Sequence, residues 1–234
     1  MSKPFSLPMP PAPDMPRKPF SARGSRVNRC TGCLMAKDFC ICDLRPENVR
    51  CRAQVWLMMH PEEIYKPTNT GRLLADCLPE TQVFYWYRTN PDPKLLALLA
   101  DEQYQPFIIF PDDMDDYAHR VVSFEPEREK SPEKIPVFII LDGTWRQARR
   151  IFRKSPYLDN LPVLPLKTDR LTRYALRKPA SDQHLCTVEV GIELLKQAEE
   201  SEAADAVENY FAAFNRRYAE SRGLREEVEA RLNR

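Results

Sequence analysis

The sequence predicts an α/β fold in which helices cover both faces of a mostly parallel sheet. Short apolar runs of strand length alternate with segments of helical periodicity along most of the 234 residues. The clearest junction follows the run Val137 to Leu141, which stops at Asp142-Gly143-Thr144 and turns into a basic helical pattern at Trp145. Such junctions lie at the carboxyl ends of parallel strands, where ligands bind. Asp142 is therefore expected at the mouth of a site, unless Asp142 or Thr144 merely caps the new helix.

Three strands and two helices are predicted in the first half of the main domain. An apolar strand is followed by a polar loop, and a short helical pattern begins near Gly71, at the end of that loop. An aromatic strand, a helix opened by Pro93 and another buried apolar strand come next. The predicted strands cover 53–59, 82–87 and 106–110, and the predicted helices cover 70–77 and 93–101.

The second half continues this alternation. A helical turn and a proline-rich loop precede the central strand that ends at Asp142, and the basic helix follows that strand. A short strand, a basic loop and two longer helices complete the pattern. These elements are predicted at 112–118 (turn), 124–136 (loop), 145–154 (basic helix), 163–166 (short strand), and 185–198 and 203–218 (final helices).

The composition indicates one substantial core with a small appendage, since 43% of the residues are hydrophobic. No apolar run reaches membrane-spanning length and the N-terminus lacks the hydrophobic core of a signal peptide, so a cytoplasmic protein with no membrane partner is expected. The net charge is only +1, yet residues 144–181 hold ten Lys and Arg against Asp159 and Asp169. This excess is typical of a nucleic-acid or phosphate partner, and a solvated helix face is the alternative.

Four of the seven cysteines crowd into one short segment. Cys30 and Cys33 have the C-x-x-C spacing of a metal knuckle, and Cys40 and Cys42 follow after six residues to complete four thiolates. The pattern predicts a structural zinc site without an open coordination position; a redox motif and buried thiols are the alternatives. The odd total argues against a secreted disulfide framework. The other cysteines stand on apolar segments and are predicted core residues: Cys51, Cys77 and Cys186.

Residues 1–25 are predicted to form a flexible, proline-rich basic arm. Seven prolines, the last of them Pro19, stand in this segment, and few of its residues can build a core. From Arg17 to Lys37 the chain carries basic residues without an acid, and this strip, which includes Arg26 and Arg29, would suit a phosphate backbone. A solubilising leader without a partner is the alternative.

Glycine supplies a useful negative observation. The six glycines form neither G-x-G-x-x-G nor G-x-x-x-x-G-K-[ST], so a bound nucleotide or cofactor must be held differently. Two other stretches are candidates for the site: residues 66–72, a second strand-end loop that feeds a helix, and the late segment that places Glu189 on the first turn of a helix. Glu189 as a simple helix-dipole partner is the alternative. His60 and His184 are interpreted as hydrogen-bonded structural residues.

With these residues in view, the chain resembles the DTW-domain family. Residues 142–145 are similar to the D-x-T-W signature, and the cysteine cluster and residues 66–73, 152–162 and 187–190 resemble family segments in the same order. The likeness to bacterial tRNA-uridine aminocarboxypropyltransferases implies transfer of the 3-amino-3-carboxypropyl group of S-adenosylmethionine to N3 of a uridine in the tRNA variable loop, with release of methylthioadenosine. It also implies a SPOUT-like, knotted sheet that holds the cofactor without a glycine-rich loop.

The resemblance also implies roles for individual residues. Asp142 is the predicted catalytic base and Glu189 the second candidate; alternatively, Asp142 holds the cofactor amino group or orders the knot loop. The cofactor carboxylate needs a cation, for which Arg72 or Arg177 is predicted, and Trp145 is interpreted mainly as packing its helix onto the sheet. The predicted cofactor-binding residues are Thr70, Gly71, Arg72, Leu141, Thr144, Trp145, Arg177 and Thr187. The predicted RNA-binding residues are Arg26, Arg29, Arg146, Arg149, Arg150, Arg153, Arg170 and Arg173.

The resulting organisation is a basic arm at 1–25, a four-cysteine zinc knuckle at 26–48 and a catalytic domain at 49–234. The expected partner is tRNA, with no obligatory protein partner. Two rival functions remain open: an RNA methyltransferase of the same fold that presents the methyl group of the same cofactor, and a non-catalytic, zinc-containing RNA-binding module.

Overall fold

The computed structural model describes residues 27–113, 115–125, 134–174 and 185–224. The predicted N-terminal arm, Arg26, Arg177 and His184 therefore lie outside the described residues. Within these ranges, no helix combines the length and the apolar character that a membrane crossing requires.

A five-stranded sheet, parallel throughout, forms the centre of the fold. The central strand β4 is buried from Pro136 to Asp142 because strands flank it on both sides and helices cover both faces. The register pairs Met59 of β1 with Asp142 of β4, so these two strands end at the same edge of the sheet. The strand order is β2-β1-β4-β3-β5, with β1 at Gln54–Met59, β2 at Gln82–Tyr85, β3 at Tyr104–Ile109, β4 at Ile135–Asp142 and β5 at Val163–Leu164.

Helices pack on both faces of the sheet. One face carries α1 (Gly71–Cys77), α4 (Thr187–Gln197) and α5 (Ser201–Glu220), and the other carries α2 (Pro93–Ala100) and α3 (Trp145–Arg153). Side chains alternate along β1: Leu57 joins the hydrophobic cluster of the first face, and Trp56 joins that of the second. The predicted α/β class is thus confirmed. The SPOUT-like knot stays a prediction, since part of the path from β5 to α4, residues 175–184, is not described.

Most elements lie close to their predicted bounds, and the differences have local causes. β5 is shorter than predicted because Pro165 has no N–H to donate to a neighbouring strand. β3 begins before the predicted start and accommodates Pro106, because β5 pairs only with Ile108 and Ile109 and leaves the edge beside the proline unpaired. The helical turn predicted at 112–118 is a 3₁₀-helix at Asp115–Arg120.

The cysteine knuckle packs directly against the helical layer formed by α1, α4 and α5. Met35 and Ile41 are fully buried and belong to the same hydrophobic cluster as Leu73 of α1 and Phe211 of α5. α5 also contacts the 3₁₀-turn Lys37–Phe39 between the two cysteine pairs. The knuckle therefore shares the main core of the protein.

Candidate active site and metal centre

A cleft of about 570 Å³ opens at the carboxyl ends of the central strands. Its volume lies within the range of small-molecule sites, about 300–1,000 Å³. Most of its walls come from five places: the end of β4 and start of α3, the loop before α1, the end of β3 with the loop after it, the loop after β5, and the start of α4. These contribute, among others, Leu141, Asp142, Thr144 and Trp145; Asn69 and Thr70; Pro165, Leu166 and Lys167; and Cys186 and Thr187.

Asp142 is the carboxylate around which the cleft is built. It is only 2% exposed. Its Oδ2 accepts a hydrogen bond from Asn69 Nδ2 at 2.7 Å, and its Oδ1 accepts one from Thr187 Oγ1 at 2.6 Å. Because donors reach both oxygens, the carboxylate is held in a fixed orientation. Asp142 therefore joins β4 to the loop before α1 and to the start of α4.

Gly71 allows α1 to approach this carboxylate. A Cβ at position 71 would lie 2.7 Å from Oδ2 of Asp142, closer than side-chain atoms pack. A glycine is required there because the backbone and the carboxylate come into direct contact. Gly71 thus supports the cleft from behind and does not line it.

Thr144 and Trp145 form the rim on the α3 side. Thr144 caps α3: it receives the Gln147 N–H on Oγ1 at 3.4 Å, and its own N–H donates to Gln147 Oε1 at 2.7 Å. The capping alternative therefore holds for Thr144 and not for Asp142. One face of the Trp145 indole stacks on Phe110 with ring centroids 5.3 Å apart, as a packing role predicts. The side chain is nevertheless 47% exposed at the rim of the cleft.

Glu189 is completely buried and does not line the cleft. Its carboxylate accepts hydrogen bonds from Thr172 Oγ1 at 2.7 Å, from the Arg173 N–H at 2.6 Å and from the Cys186 N–H at 2.9 Å. These contacts fix the loop that precedes Tyr174 to the N-terminus of α4. The structure therefore corrects the prediction of Glu189 as a second catalytic carboxylate, because all its contacts serve the fold.

Arg72 is also absent from the cleft, which corrects its predicted contact with the cofactor carboxylate. The next residue along an α-helix is rotated by about 100°, so Arg72 points away from the edge that Gly71 presents to Asp142. Its side chain is 1% exposed, and Nη2 donates to the Pro67 carbonyl at 3.2 Å. The cation that does line the cleft, among the residues described, is the exposed Lys167.

α3 carries a cationic surface that begins at the rim of the cleft. Arg146, Arg150 and Arg153 are exposed, and Arg149 is half-buried. The Arg149 guanidinium lies 5.8 Å from the Trp145 ring, and that of Arg150 lies 5.8 Å from the Trp86 ring. The local excess of basic residues in the sequence corresponds, on this helix, to a surface of guanidinium groups.

Other predicted RNA-binding arginines contact acids or carbonyl groups of the protein. Arg170 donates to Glu193 at 3.1 Å and to Glu208 at 2.7 and 2.8 Å, and Arg173 lies 3.6 Å from Glu208. These ion pairs attach the loop after β5 to α4 and α5. Arg29 donates to the Leu34 carbonyl at 3.0 Å, within the knuckle. The acids are distant in sequence, which is why the basic loop looked unpaired, and RNA binding by Arg29, Arg170 and Arg173 stays a prediction.

The four predicted metal ligands converge in space. Their Sγ atoms all lie within 4.8 Å of one another, with pairs at 3.6 Å (Cys30–Cys42), 3.7 Å (Cys33–Cys40) and 3.5 Å (Cys40–Cys30). Zinc–sulfur bonds of about 2.3 Å in a tetrahedron require sulfur separations of about 3.8 Å. Burial raises the pKa of Cys40 and of Cys42, whereas at Cys30 hydrogen bonds with the backbone of Cys33 and Gly32 outweigh burial and lower the pKa to about 7. This donor set fits a structural zinc ion.

Sequence reasoning missed several residues of the cleft, among them Asn69, Phe110, Cys186 and Lys167. Asn69 stands in the polar loop 66–72, which the sequence predicts as a candidate stretch without singling out this residue. Its hydrogen-bonding amide group was the feature that could have identified it. Phe110 and Cys186 were assigned to the core because of their apolar neighbours, although both line the cleft. Lys167 was counted within the basic segment without a role of its own.

Comparison with known proteins adds an independent result. The family model described as the DTW domain matches residues 27–219. The chain is 26% identical over 169 residues to tRNA-uridine aminocarboxypropyltransferase 2 of Macaca fascicularis, covering 70% of this chain and 54% of that protein. It is 25% identical over 175 residues to the protein of the same name from Drosophila melanogaster, covering 73% of this chain and 66% of that protein. The chain spans about half (54%) of the length of the macaque relative. No solved structure matches it significantly.

Proposed function

This chain belongs to the DTW-domain family, and on that premise we propose that it is a tRNA-uridine aminocarboxypropyltransferase. The reaction moves the 3-amino-3-carboxypropyl group of S-adenosylmethionine to N3 of a uridine in the tRNA variable loop and releases methylthioadenosine. One observation carries the proposal: the acid of the family signature, Asp142, lies in a cleft of ligand size whose rim continues into a cationic helix. The names of the relatives support the same chemistry.

The cleft suits a cofactor that is held without a glycine-rich loop. Apolar walls from Leu141, Leu166 and Val190 accommodate an adenosine and a sulfonium methyl group, while Thr70 and Thr187 supply hydroxyls. Part of the same proposal is a SPOUT-like knotted path between β5 and α4. The loops that meet at Asp142 would then be the binding loops of the knot.

Lys167 replaces Arg72 in this proposal as the partner of the cofactor carboxylate. It is the only Lys or Arg among the described residues that line the cleft, and its side chain is exposed enough to reach a ligand. An ammonium group can meet a carboxylate as a point charge. Arg177, outside the described residues, stays a second prediction for this role.

Asp142 needs to be fixed in place to act on the reaction, and the hydrogen bonds from Asn69 and Thr187 hold it there. When bound, S-adenosylmethionine supplies an aminocarboxypropyl carbon that its sulfonium makes electrophilic. Uridine N3 is a poor nucleophile while it holds its proton, so a carboxylate that accepts this proton promotes attack. In the alternative role, the negative charge of Asp142 holds the ammonium group of the cofactor. That role predicts that loss of the charge weakens binding of S-adenosylmethionine but not of methylthioadenosine.

The rim and the helix beyond it suit an RNA substrate. Sequence-specific RNA recognition uses splayed bases that stack on aromatic rings, and Trp145 is a half-exposed aromatic residue beside the cleft. Arg146, Arg150 and Arg153 would contact phosphates, which dominate affinity and make it sensitive to salt. The zinc knuckle has a structural role in this proposal, because four cysteines leave the metal no open position.

The decisive experiment is nucleoside mass analysis of tRNA after incubation with the purified chain and S-adenosylmethionine. An added aminocarboxypropyl group on uridine, absent with Asp142→Asn, supports the proposal. An added methyl group would instead assign the chain to RNA methyltransferases that use the same cofactor. If no group is added and Asp142→Asn leaves both tRNA and cofactor binding unchanged, the chain is a non-catalytic RNA-binding module.

A further inference from the structure

Glu63 is a second buried acid in the wall of the cleft. After β1 ends at Met59, the His60 N–H donates to the Asp142 carbonyl at 3.0 Å, and the Glu63 N–H donates to the His60 carbonyl at 2.9 Å. This turn places Glu63 in the wall of the cleft that Asp142 also lines, where the residue is only 1% exposed. A buried carboxylate needs hydrogen-bond donors or an opposite charge. The contacts of Glu63 therefore indicate what a ligand can add.

Lys66 satisfies one oxygen of this carboxylate. Its Nζ donates to Oε1 of Glu63 and forms an ion pair with it. Lys66 is not among the residues that line the cleft, and its side chain is 29% exposed, so it reaches Glu63 from outside. Within the described part of the chain, no hydrogen bond reaches Oε2. Glu63 thus keeps one buried acceptor atom for a ligand, while Lys66 holds the side chain in place.

The charged groups along the cleft favour a cationic ligand. Three acids line it among the described residues, namely Glu63, Asp112 and Asp142, and the only lysine or arginine there is Lys167. Because Asp112 and Lys167 are exposed, the buried charged side chains of this part of the cleft are both acidic. Charges interact more strongly away from bulk water. A positive group on the ligand therefore fits the buried part of the cleft.

Of the two buried acids, Glu63 is the one with an oxygen that accepts no hydrogen bond. Both oxygens of Asp142 already accept hydrogen bonds, from Asn69 and Thr187. An amino-acid ammonium group has three N–H donors and no acceptor, so it requires oxygens such as Oε2 of Glu63. A sulfonium has no hydrogen to donate and suits the apolar walls instead. The ammonium is therefore the positive group that matches Glu63.

We propose that Glu63 binds the α-ammonium group of the aminocarboxypropyl chain and thereby positions the chain that is transferred. The inference rests on the proposed function. It assigns the ammonium to Glu63 instead of Asp142, which leaves Asp142 available for the N3 proton of the uridine. Lys167 meets the carboxylate of the same chain. The product methylthioadenosine has no ammonium group, so Glu63 favours binding of the donor over binding of this product.

Calorimetry with two ligands isolates the contact with the ammonium group. S-adenosylhomocysteine carries this group, and its deamino analogue has a hydrogen in the same place. The wild type should bind S-adenosylhomocysteine about 10- to 100-fold more tightly than the analogue, which is the range for a hydrogen bond with a charged group. Glu63→Gln keeps the shape of the side chain and removes its charge, so this preference should fall about 5- to 10-fold.

Glu62→Gln is the matched control for Glu63→Gln. Glu62 stands in the same turn, but its side chain is 70% exposed and it does not line the cleft. The substitution removes an equal charge next to Glu63 in the sequence. The preference for S-adenosylhomocysteine should therefore stay at the wild-type value, and a loss equal to that of Glu63→Gln would contradict a direct contact.

Lys66→Met separates ligand binding from the ion pair within the turn. If Glu63 served only to anchor Lys66, both Glu63→Gln and Lys66→Met would weaken the two ligands alike. With the Glu63 carboxylate intact, Lys66→Met should instead keep the preference for S-adenosylhomocysteine at the wild-type value or above it. This variant also decides the question should Glu63→Gln fail to fold.

The outcomes that overturn the role of Glu63 differ from those that overturn the proposed function. An unchanged preference in Glu63→Gln, an equal loss for both ligands, or a loss of preference in Lys66→Met would refute the contact with the ammonium group. So would a wild-type chain without any preference between the two ligands. Failure of the proposed function appears separately, as tRNA without an aminocarboxypropyl group in nucleoside mass analysis, whatever the ligand preferences are.

Discussion

Gly71→Ala places a methyl group against the carboxylate that organises the cleft. The added Cβ would lie 2.7 Å from Oδ2 and 2.9 Å from Cγ of Asp142, whereas atoms in contact settle at about 3.5 Å. Asp142 cannot retreat without lengthening its hydrogen bonds to Asn69 and Thr187, which measure 2.7 and 2.6 Å. A displacement of about 0.8 Å must therefore be shared between α1 and the end of β4.

We expect this displacement to affect catalysis much more than folding. Overpacking costs about 1–3 kcal/mol, and alanine recovers about 0.5–1 kcal/mol relative to glycine in a helix. The free energy of unfolding should therefore fall by about 0–2.5 kcal/mol, which leaves most of the chain folded. A misplacement near 1 Å at a reacting centre costs about 100-fold in rate, so single-turnover transfer to tRNA should fall by about that factor.

Gly191→Ala is the matched control for Gly71→Ala. A Cβ at position 191 would lie 2.5 Å from a methyl group of Leu74, and its three nearest atoms all belong to that side chain. This variant should lose comparable stability in urea unfolding while the folded protein transfers at close to the wild-type rate. Wild-type transfer by folded Gly71→Ala, or an equal loss of transfer in both variants, would refute the argument that the position of Asp142 limits the reaction.

Asp142→Asn keeps the side-chain shape and removes its charge, so transfer should be lost with little change in tRNA affinity. If Asp142 holds the cofactor ammonium, calorimetry should also show weaker binding of S-adenosylmethionine but not of methylthioadenosine, whereas an equal loss for both ligands would contradict that role. Lys167→Met should weaken S-adenosylmethionine about fivefold relative to methylthioadenosine, since an exposed ion pair contributes at most about 1 kcal/mol; identical ratios in mutant and wild type would exclude Lys167 as the carboxylate partner. Trp145→Ala should lower tRNA affinity by about 1–3 kcal/mol while Trp145→Phe retains most of it, and equal losses in filter binding would argue against stacking. Cys30→Ser should lower both thermal stability and metal content, and retention of one zinc per chain by elemental analysis would contradict the proposed ligation.

Local patterns were sufficient for the elements of the fold. The apolar run of β4 has no polar residue until Asp142, so its double burial is visible in the sequence. Thr144 and Gln147 form a capping box within a single turn, which fixes the start of α3. The four cysteines are equally local, and their spacing alone was enough to predict convergence of the thiols.

Contacts between distant segments were not predictable in the same way. Asn69 and Thr187 meet Asp142 only after the sheet and α4 are in place. Glu208 neutralises Arg170 from a helix far along the chain, so a surplus of basic residues in one loop said nothing about their partners. Arg72 was predicted to contact the cofactor because its neighbour Gly71 faces Asp142. The next residue along an α-helix is rotated by about 100°, so Arg72 lies on a different face of α1.

The aromatic rim gives the protein a built-in optical reporter. Of its three tryptophans, Trp56 is fully buried and Trp86 is 6% exposed, so Trp145, at 47%, is the residue that a dissolved quencher such as iodide reaches most readily. Its emission should therefore form the red-shifted, quenchable part of the fluorescence spectrum. A ligand that fills the cleft or stacks on the rim would shield this component and leave the buried emission unchanged. Occupancy of the cleft can thus be followed in the unlabelled, wild-type chain.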